Sequence, residues 1–243
     1  MSLVVMDFSR IYSRDDFSGC ESLTWIDCTS ISATHCFCDD EAQAGIKRLI
    51  AYYPPQGIHF IDSGNYHYVS KFWNEKVEEP YHLVLFDHHP DMQVPRFEGL
   101  LSCGSWVRAL MQTHRWLQKV YIVGASDELR AEAEGYDDRL VYFSQTEVAD
   151  NTALPFGFGG AKTYISIDLD VLAANEVSTN WDQGTMHLEQ LKCLLASVFS
   201  QSTVIGVDVC GGDNGLSDSA VRQNGRVNKD LYGFIAGLMK KEI

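Results

Sequence analysis

The sequence predicts a three-layer α/β/α fold around a mainly parallel sheet of about eight strands. Three observations carry that prediction. Short apolar segments alternate with longer helix-like ones along almost the whole chain. The strand-like segments are mostly apolar throughout rather than alternating, as strands covered on both faces are. Acids and histidines collect just after several of these segments, where an open parallel sheet presents its ligands.

Taken in order, residues 2–6 and 23–28 read as strands. Residues 39–53 open on Asp39-Asp40-Glu41, pass Lys47-Arg48 and stop at Pro54-Pro55. Acids first and bases last is the arrangement a helix dipole favours, and the prolines end the helix. A strand is expected at 58–62, a helix at 68–78 and a strand at 82–86. Then come a helix at 104–117, a strand at 119–124 and a short helix at 127–134. Strands follow at 140–143 and 163–169, then a helix at 186–200, a strand at 203–209 and a last helix at 228–240. The stretches 144–162, with Gly157, Gly159 and Gly160, and 210–227 read as loops. No repeat, low-complexity tract or linker interrupts the chain, so residues 1–243 are expected to form one domain.

Composition narrows the class. Apolar residues are 45% and charged residues 21%, an ordinary globular balance. Nineteen Lys and Arg stand against 33 Asp and Glu, a net charge of −14. Such a chain is a poor general ligand for phosphate backbones or anionic membranes. The expected partner is a small-molecule substrate, with neither nucleic acid nor membrane, and a homo-oligomer is compatible with the sequence. The first apolar run is too short for a secretory signal, and no stretch is long enough to span a bilayer. Seven cysteines, an odd number, fit reduced thiols and a cytoplasmic location.

Three strand ends carry metal-like chemistry. One reads Asp87-His88-His89-Pro90-Asp91, one Ser166-Ile167-Asp168-Leu169-Asp170, and one Gly64-Asn65-Tyr66-His67; Asp208 lies at a fourth. On extended backbone, residues two apart leave on the same side. Asp87, His89 and Asp91 can therefore converge with Asp168 and Asp170, and His67 reaches in from a neighbouring loop. Four carboxylates packed together repel unless some are protonated or cations lie between them. Two divalent ions balance the four charges. Carboxylate and imidazole without thiolate suit Mn²⁺, with Fe²⁺, Co²⁺ or Zn²⁺ as alternatives.

These residues also carry a resemblance. Asp87-His88-His89-Pro90-Asp91 resembles the Asp-Ala-His-x-Asp motif of the arginase and agmatinase (ureohydrolase) superfamily. Ser166-Ile-Asp168-Leu-Asp170 resembles its Ser-x-Asp-x-Asp motif, and Gly64-Asn65-Tyr66-His67 sits where the family has Gly-Gly-Asp-His. Residues 183–189, Gln-Gly-Thr-Met-His-Leu-Glu, resemble a degraded Gly-Gly-Leu-Thr-x-x-Glu helix start. The elements agree in order over roughly residues 58–210. The resemblance implies an arginase-like α/β/α fold with an eight-stranded parallel sheet. It implies that His67, Asp87, Asp91 and Asp168 hold a first Mn²⁺, and that Asp87, His89, Asp168 and Asp170 hold a second. It further implies that a water activated between the ions attacks a guanidinium or formimino carbon, with Asp91 as the catalytic residue that orients the water.

Two departures redirect the expected substrate. The family carries a Glu three residues after the Asp of the late strand, where it grips the guanidinium; here Asp208 is followed by Gly211 at that position. Asp213 is a substitute only if its loop folds back. The family's proton-shuttling His-Gly is matched by Cys103-Gly104, and Cys103 is read as a small packing residue in the first turn of a helix. The expected activity is therefore hydrolysis of a linear C–N bond in an amidine, ureido or amide compound, not that of an arginase in the strict sense. Two alternatives stand beside it: a catalytically silent metal-binding scaffold, and a single-zinc amide deacetylase of the same superfamily using Asp87, His89 and Asp168. Other features weigh less. His88 is read as a supporting residue pointing away from His89, and Tyr66, Phe72 and Trp73 as core. His35-Cys36-Phe37-Cys38 has no second pair to complete a zinc site. Gly157 to Lys162 lacks phosphate-loop spacing.

Overall fold

A computed structural model describes residues 2–241 apart from 21, 96–98, 150, 214 and 216. Its strands are β1 (Leu3–Asp7), β2 (Leu23–Asp27), β3 (Phe37–Cys38), β4 (Gly57–Ile61) and β5 (Tyr81–Phe86), then β6 (Leu101–Ser102), β7 (Leu117–Ala125), β8 (Leu140–Ser144), β9 (Lys162–Asp168) and β10 (Val204–Cys210). The α-helices are α1 (Asp40–Ile50), α2 (Val69–Asn74), α3 (Trp106–Thr113), α4 (Gln145–Val148), α5 (Leu188–Gln201) and α6 (Asp218–Met239). Eight strands form one sheet in the order β2-β1-β4-β10-β9-β5-β7-β8, and every neighbouring pair is parallel. β3 and β6 form a separate antiparallel pair.

The continuous apolar runs explain the layers. Alternate residues of each central strand are buried on opposite faces. Val4, Met6, Ile61, Leu83, Leu85 and Ile122 pack in one cluster with Ile46 of α1, Phe72 and Trp73 of α2, and Val107 and Leu110 of α3. Val5, Phe60, Val84, Phe86, Ile165 and Val207 pack in the other with Leu191, Leu194 and Val198 of α5 and Leu231 and Ile235 of α6. The predicted three-layer arrangement with a parallel sheet is what forms. Among the described residues no helix is long and apolar enough to cross a membrane.

The differences are local. The last helix begins at Asp218, ten residues before the expected start. Ser217 caps it by accepting the Ala220 N–H at 3.4 Å, a signal hidden in a polar stretch that reads as loop. Residues 127–133 form a 3-10 helix rather than an α-helix, and the loop-like stretch 144–162 contains α4. β3 and β6, two residues each, carry no pattern a sequence could show.

Candidate metal centre

The six singled-out side chains meet at the carboxyl edge of the sheet. Phe86 pairs with Ile167 in the β5–β9 ladder, so Asp87 and Asp168 leave neighbouring strands at the same level. Asp168 caps a short turn, accepting the Asp170 N–H at 3.0 Å, which turns Asp170 back toward the same edge. Asp87 likewise accepts the His89 N–H at 2.6 Å. His67 closes the 3-10 turn after β4. Asp91 sits at φ 52° and is anchored by the Trp106 indole N–H, which donates to its Oδ2 at 2.6 Å. Non-glycine residues in this left-handed region concentrate where a site over-determines them.

The convergence is tight. His67 Nδ1 lies 3.2 Å from Asp87 Oδ2, 3.0 Å from Asp91 Oδ2 and 3.5 Å from Asp168 Oδ2. His89 Nδ1 lies 2.9 Å from Asp170 Oδ2 and 3.7 Å from Asp87 Oδ1. His67, Asp87, Asp91, Asp168 and Asp170 are buried, and His89 is half-buried facing a cavity of about 210 Å³. Three groups have ligand atoms close enough to share an ion: His67–Asp87–Asp91, Asp87–His89–Asp170 and His67–Asp168–Cys210.

Two observations fit this cluster to cations. His67 Nδ1 and Asp87 Oδ2 are fully buried yet neither makes an aligned hydrogen bond, a costly state unless a ligand completes them. The far side of the His67 ring is fixed: Nε2 lies 2.9 Å from Ser166 Oγ, whose own hydroxyl donates to Ser70 Oγ. That pairing puts a proton on Nε2 and aims Nδ1 at the carboxylates, as supporting bonds do around ligating histidines. Without ions the cluster holds protons in their place. Burial and the Asp170 and Asp91 carboxylates hold Asp87 well above the usual range, and burial with Asp170 pushes Asp168 up to about 7. Burial also raises Asp91. Burial disfavours a charged His89, but the Asp170 carboxylate overrides it and carries the ring to about 10. Burial likewise opposes a charged His67, and Cys210, Asp87 and Asp91 hold it well above its ordinary value.

β10 lies between β4 and β9, and its end is shaped to let their residues meet across it. Gly211 has φ 108°, and a Cβ there would lie 2.3 Å from Asp168 Oδ1 and 2.5 Å from the Leu169 nitrogen. The position where the resemblance expects a guanidinium-binding Glu therefore has no room for any side chain. Gly64 plays a similar part, its missing Cβ leaving space for Asp168 Oδ2 at 2.9 Å.

Several expectations change. Asp208 does not join the cluster: it is buried lower in β10, accepting from Tyr164 Oη at 2.6 Å and paired with His59 Nδ1 at 2.8 Å, and the His59 ring stacks on Trp73 at 3.8 Å. Asp213 does not substitute for the missing Glu; its carboxylate accepts the N–H of Gly215 in its own loop. Cys103 opens the turn ahead of α3, as expected, and also lines the cavity. His88 contributes its backbone, donating N–H to Asp170 Oδ1 at 3.0 Å. Phe72 and Trp73 are core, as expected.

Sequence reasoning missed Cys210, whose thiol lies 3.2 Å from Asp168 Oδ2. It pairs with Asp168 across the β9–β10 ladder, so the strand-end rule that found Asp168 applies to it equally. It also missed the cavity walls Cys36, Phe37, Gln93 and Trp181. Trp181 comes from the long connection between β9 and α5 and is tied down by its indole N–H to Asn65 Oδ1 at 3.0 Å. No periodicity marks such a residue.

A parallel eight-stranded sheet with a buried aspartate–histidine cluster at its carboxyl edge defines the arginase-like α/β class. The Arginase family model matches residues 57–211, more than half of the chain, and the chain belongs to that family. An uncharacterized protein of Thermotoga maritima is 30% identical over 179 residues, 74% of this chain and 68% of that protein. Solved structures share the fold at low identity. The formiminoglutamase of Trypanosoma cruzi with Mn²⁺ aligns at TM-score 0.72 and 13% identity over 98% of this chain and 93% of its own. The agmatine ureohydrolase of Thermoplasma volcanium aligns at 0.70 and 11% over 99% and 89%, and the formimidoylglutamase of Bacillus subtilis at 0.67 and 13% over 98% and 87%.

Proposed function

We propose that this protein is a binuclear metal-dependent hydrolase of a linear C–N bond in an amidine, ureido or amide compound. The observation that carries the reading is the convergence of four carboxylates and two imidazoles with His67 Nδ1 and Asp87 Oδ2 buried and unbonded. His67, Asp87, Asp91 and Asp168 would hold one ion, and Asp87, His89, Asp168 and Asp170 the other. Mn²⁺ is the first choice, as in the Trypanosoma cruzi neighbour. Two such ions supply Lewis acidity for the scissile carbon's heteroatom and bring a water's pKa down toward ~7.

The chain's own residues do the rest. Trp106 fixes Asp91, whose carboxylate would orient the attacking water and hold its proton. Phe37 and Trp181 give the cavity apolar walls, and Gln93 and Ser102 give it neutral hydrogen-bonding groups. With Gly211 pressed against Asp168, that position offers no carboxylate to a guanidinium. Arginine and agmatine would lack the charge-assisted contact that orients them.

The test is turnover by Mn²⁺-loaded protein on a panel of formimino, ureido, amidino and amide compounds, with Asp91→Asn and Asp168→Asn as controls. The expected result is hydrolysis of at least one neutral or formimino substrate, lost in both variants, and kcat/KM for arginine and agmatine far below ~10⁴ M⁻¹s⁻¹. No turnover of any compound by protein shown to carry two ions would overturn the enzymatic reading. Efficient arginine hydrolysis would overturn the argument from Gly211.

A further inference from the structure

At the mouth of the same cavity the fold brings two thiols together from segments far apart in the chain. In the short antiparallel pair, Phe37 faces Ser102 and Cys38 faces Leu101. The next opposed positions are Cys36 and Cys103, and the Cys103 N–H donates to the Cys36 carbonyl at 3.0 Å. That bond holds the two backbones together one residue beyond the ladder, close enough for a disulfide to be tested. Both cysteines line the cavity.

The two sulfurs differ. Cys36 sits at φ 60°, with His35 Nδ1 3.4 Å and Asn65 Oδ1 3.2 Å from its sulfur. The neighbouring Cys103 thiol, with help from His35, lowers the Cys36 thiol and favours its nucleophilic form. Cys103 is pushed the opposite way by the thiol pairing and by burial. Cys38, by contrast, points into the core and is fully buried.

We propose that Cys36 and Cys103 form a peroxide-reactive dithiol at the mouth of the candidate metal pocket, with Cys36 the attacking sulfur and Cys103 the resolving one. The Cys36 thiolate attacks one oxygen of hydrogen peroxide and breaks the O–O bond. The departing hydroxide takes up the proton Cys36 gave up, leaving a sulfenic acid and one water. The Cys103 sulfur then attacks the Cys36 sulfur and displaces hydroxide, which leaves as water with the Cys103 proton. In sum, two thiols and one peroxide give one disulfide and two waters; each sulfur loses one electron and the peroxide gains two. The link would tie residue 36 to residue 103 across the lip of the cavity. This chemistry stands apart from the hydrolase reading.

The experiment treats the reduced full-length chain, with chelator present, with a few equivalents of hydrogen peroxide and maps thiols by mass spectrometry. The exposed Cys193 serves as an internal comparison. The expected result is a loss of about 2 Da and one linked peptide pair containing Cys36 and Cys103, formed before Cys193 is modified. Cys36→Ser should abolish the link, and Cys103→Ser should leave a sulfenic acid on Cys36 that dimedone traps. A melting curve matching the wild type confirms that each variant is folded. Peroxide that modifies Cys193 while leaving both pocket thiols free, or that links other cysteines, would overturn the proposal. So would a dimedone adduct on Cys103 rather than Cys36.

Discussion

Gly211→Ala tests the architecture of the site with the smallest possible change. A Cβ at this position would stand 2.3 Å from Asp168 Oδ1, 2.5 Å from the Leu169 nitrogen and 3.0 Å from Leu169 Cβ. The backbone cannot yield easily, because the Gly211 N–H is bonded to the Asp62 carbonyl at 3.1 Å. The φ of 108° costs a residue with a side chain about 1–3 kcal/mol. Relieving the overlap costs about 1–3 kcal/mol more. Together these amount to about 2–6 kcal/mol, and for a chain of this size each kcal/mol lowers Tm by about 2–4 °C. A second effect falls on the ions. Asp168 must move, and disturbing a ligand's support typically weakens metal binding about 10–100-fold. The stabilisation gained from saturating Mn²⁺ should then shrink by about 1.4–2.7 kcal/mol. The assay is thermal melting in chelator and across a Mn²⁺ titration. Gly233→Ala, in α6 with nothing within 4 Å, is the control and should melt at or slightly above the wild-type temperature. A Gly211→Ala protein with wild-type melting and an unchanged Mn²⁺ response would show that the Asp168 carboxylate does not depend on the missing side chain.

Other expectations follow from the same geometry. Chelation should lower the wild-type Tm and Mn²⁺ should restore it, while Asp168→Asn should lose most of that response; chelator-insensitive melting of protein first shown to hold metal would count against it. In the metal-free state Asp87, Asp91 and Asp168 have raised values, Asp168 to about 7, so the folded cluster holds protons the unfolded chain releases above ~4. Their contribution is fully present below that and is lost as pH rises toward 7; metal-free Tm should fall over this window more steeply in the wild type than in Asp168→Asn, as scanning calorimetry can read. Asp208→Ala strips the buried His59 and Tyr164 of their common partner and should cost about 3–5 kcal/mol in denaturant melts. It should leave the number of bound Mn²⁺ ions per folded chain unchanged, and a loss of ions would place Asp208 in the metal site after all.

How much of this was readable beforehand depends on what each residue answers to. The central strands β4, β5, β9 and β10 are apolar because both faces are covered, and that demand is written along the chain. Asp87, His89, Asp91, Asp168 and Asp170 could be grouped because the strand-end rule acts locally, although capped turns after β5 and β9, rather than the extended parity expected, bring them together. Asp208 shows where that rule stops. It points to the same face as Cys210 and Asp168 but lies two residues short of the strand end, where His59, Tyr164 and Trp73 surround it. Cys103 and Cys36 are neighbours only through a pair of two-residue strands joining distant segments, and Trp181 reaches the cavity from an aperiodic loop. Such long-range contacts leave no local pattern. The constraint on Gly211 was visible as a missing Glu, but its steric cause needed the position of the Asp168 carboxylate.

Everything proposed for the pocket depends on the buried cluster holding two ions. Anomalous scattering from a crystal soaked with Mn²⁺ tests it most directly. Two peaks are expected, one bounded by His67, Asp87, Asp91 and Asp168 and one by Asp87, His89, Asp168 and Asp170, with ligand atoms about 2.0–2.3 Å from each ion. A single peak, or none among these six side chains at saturating Mn²⁺, would contradict it.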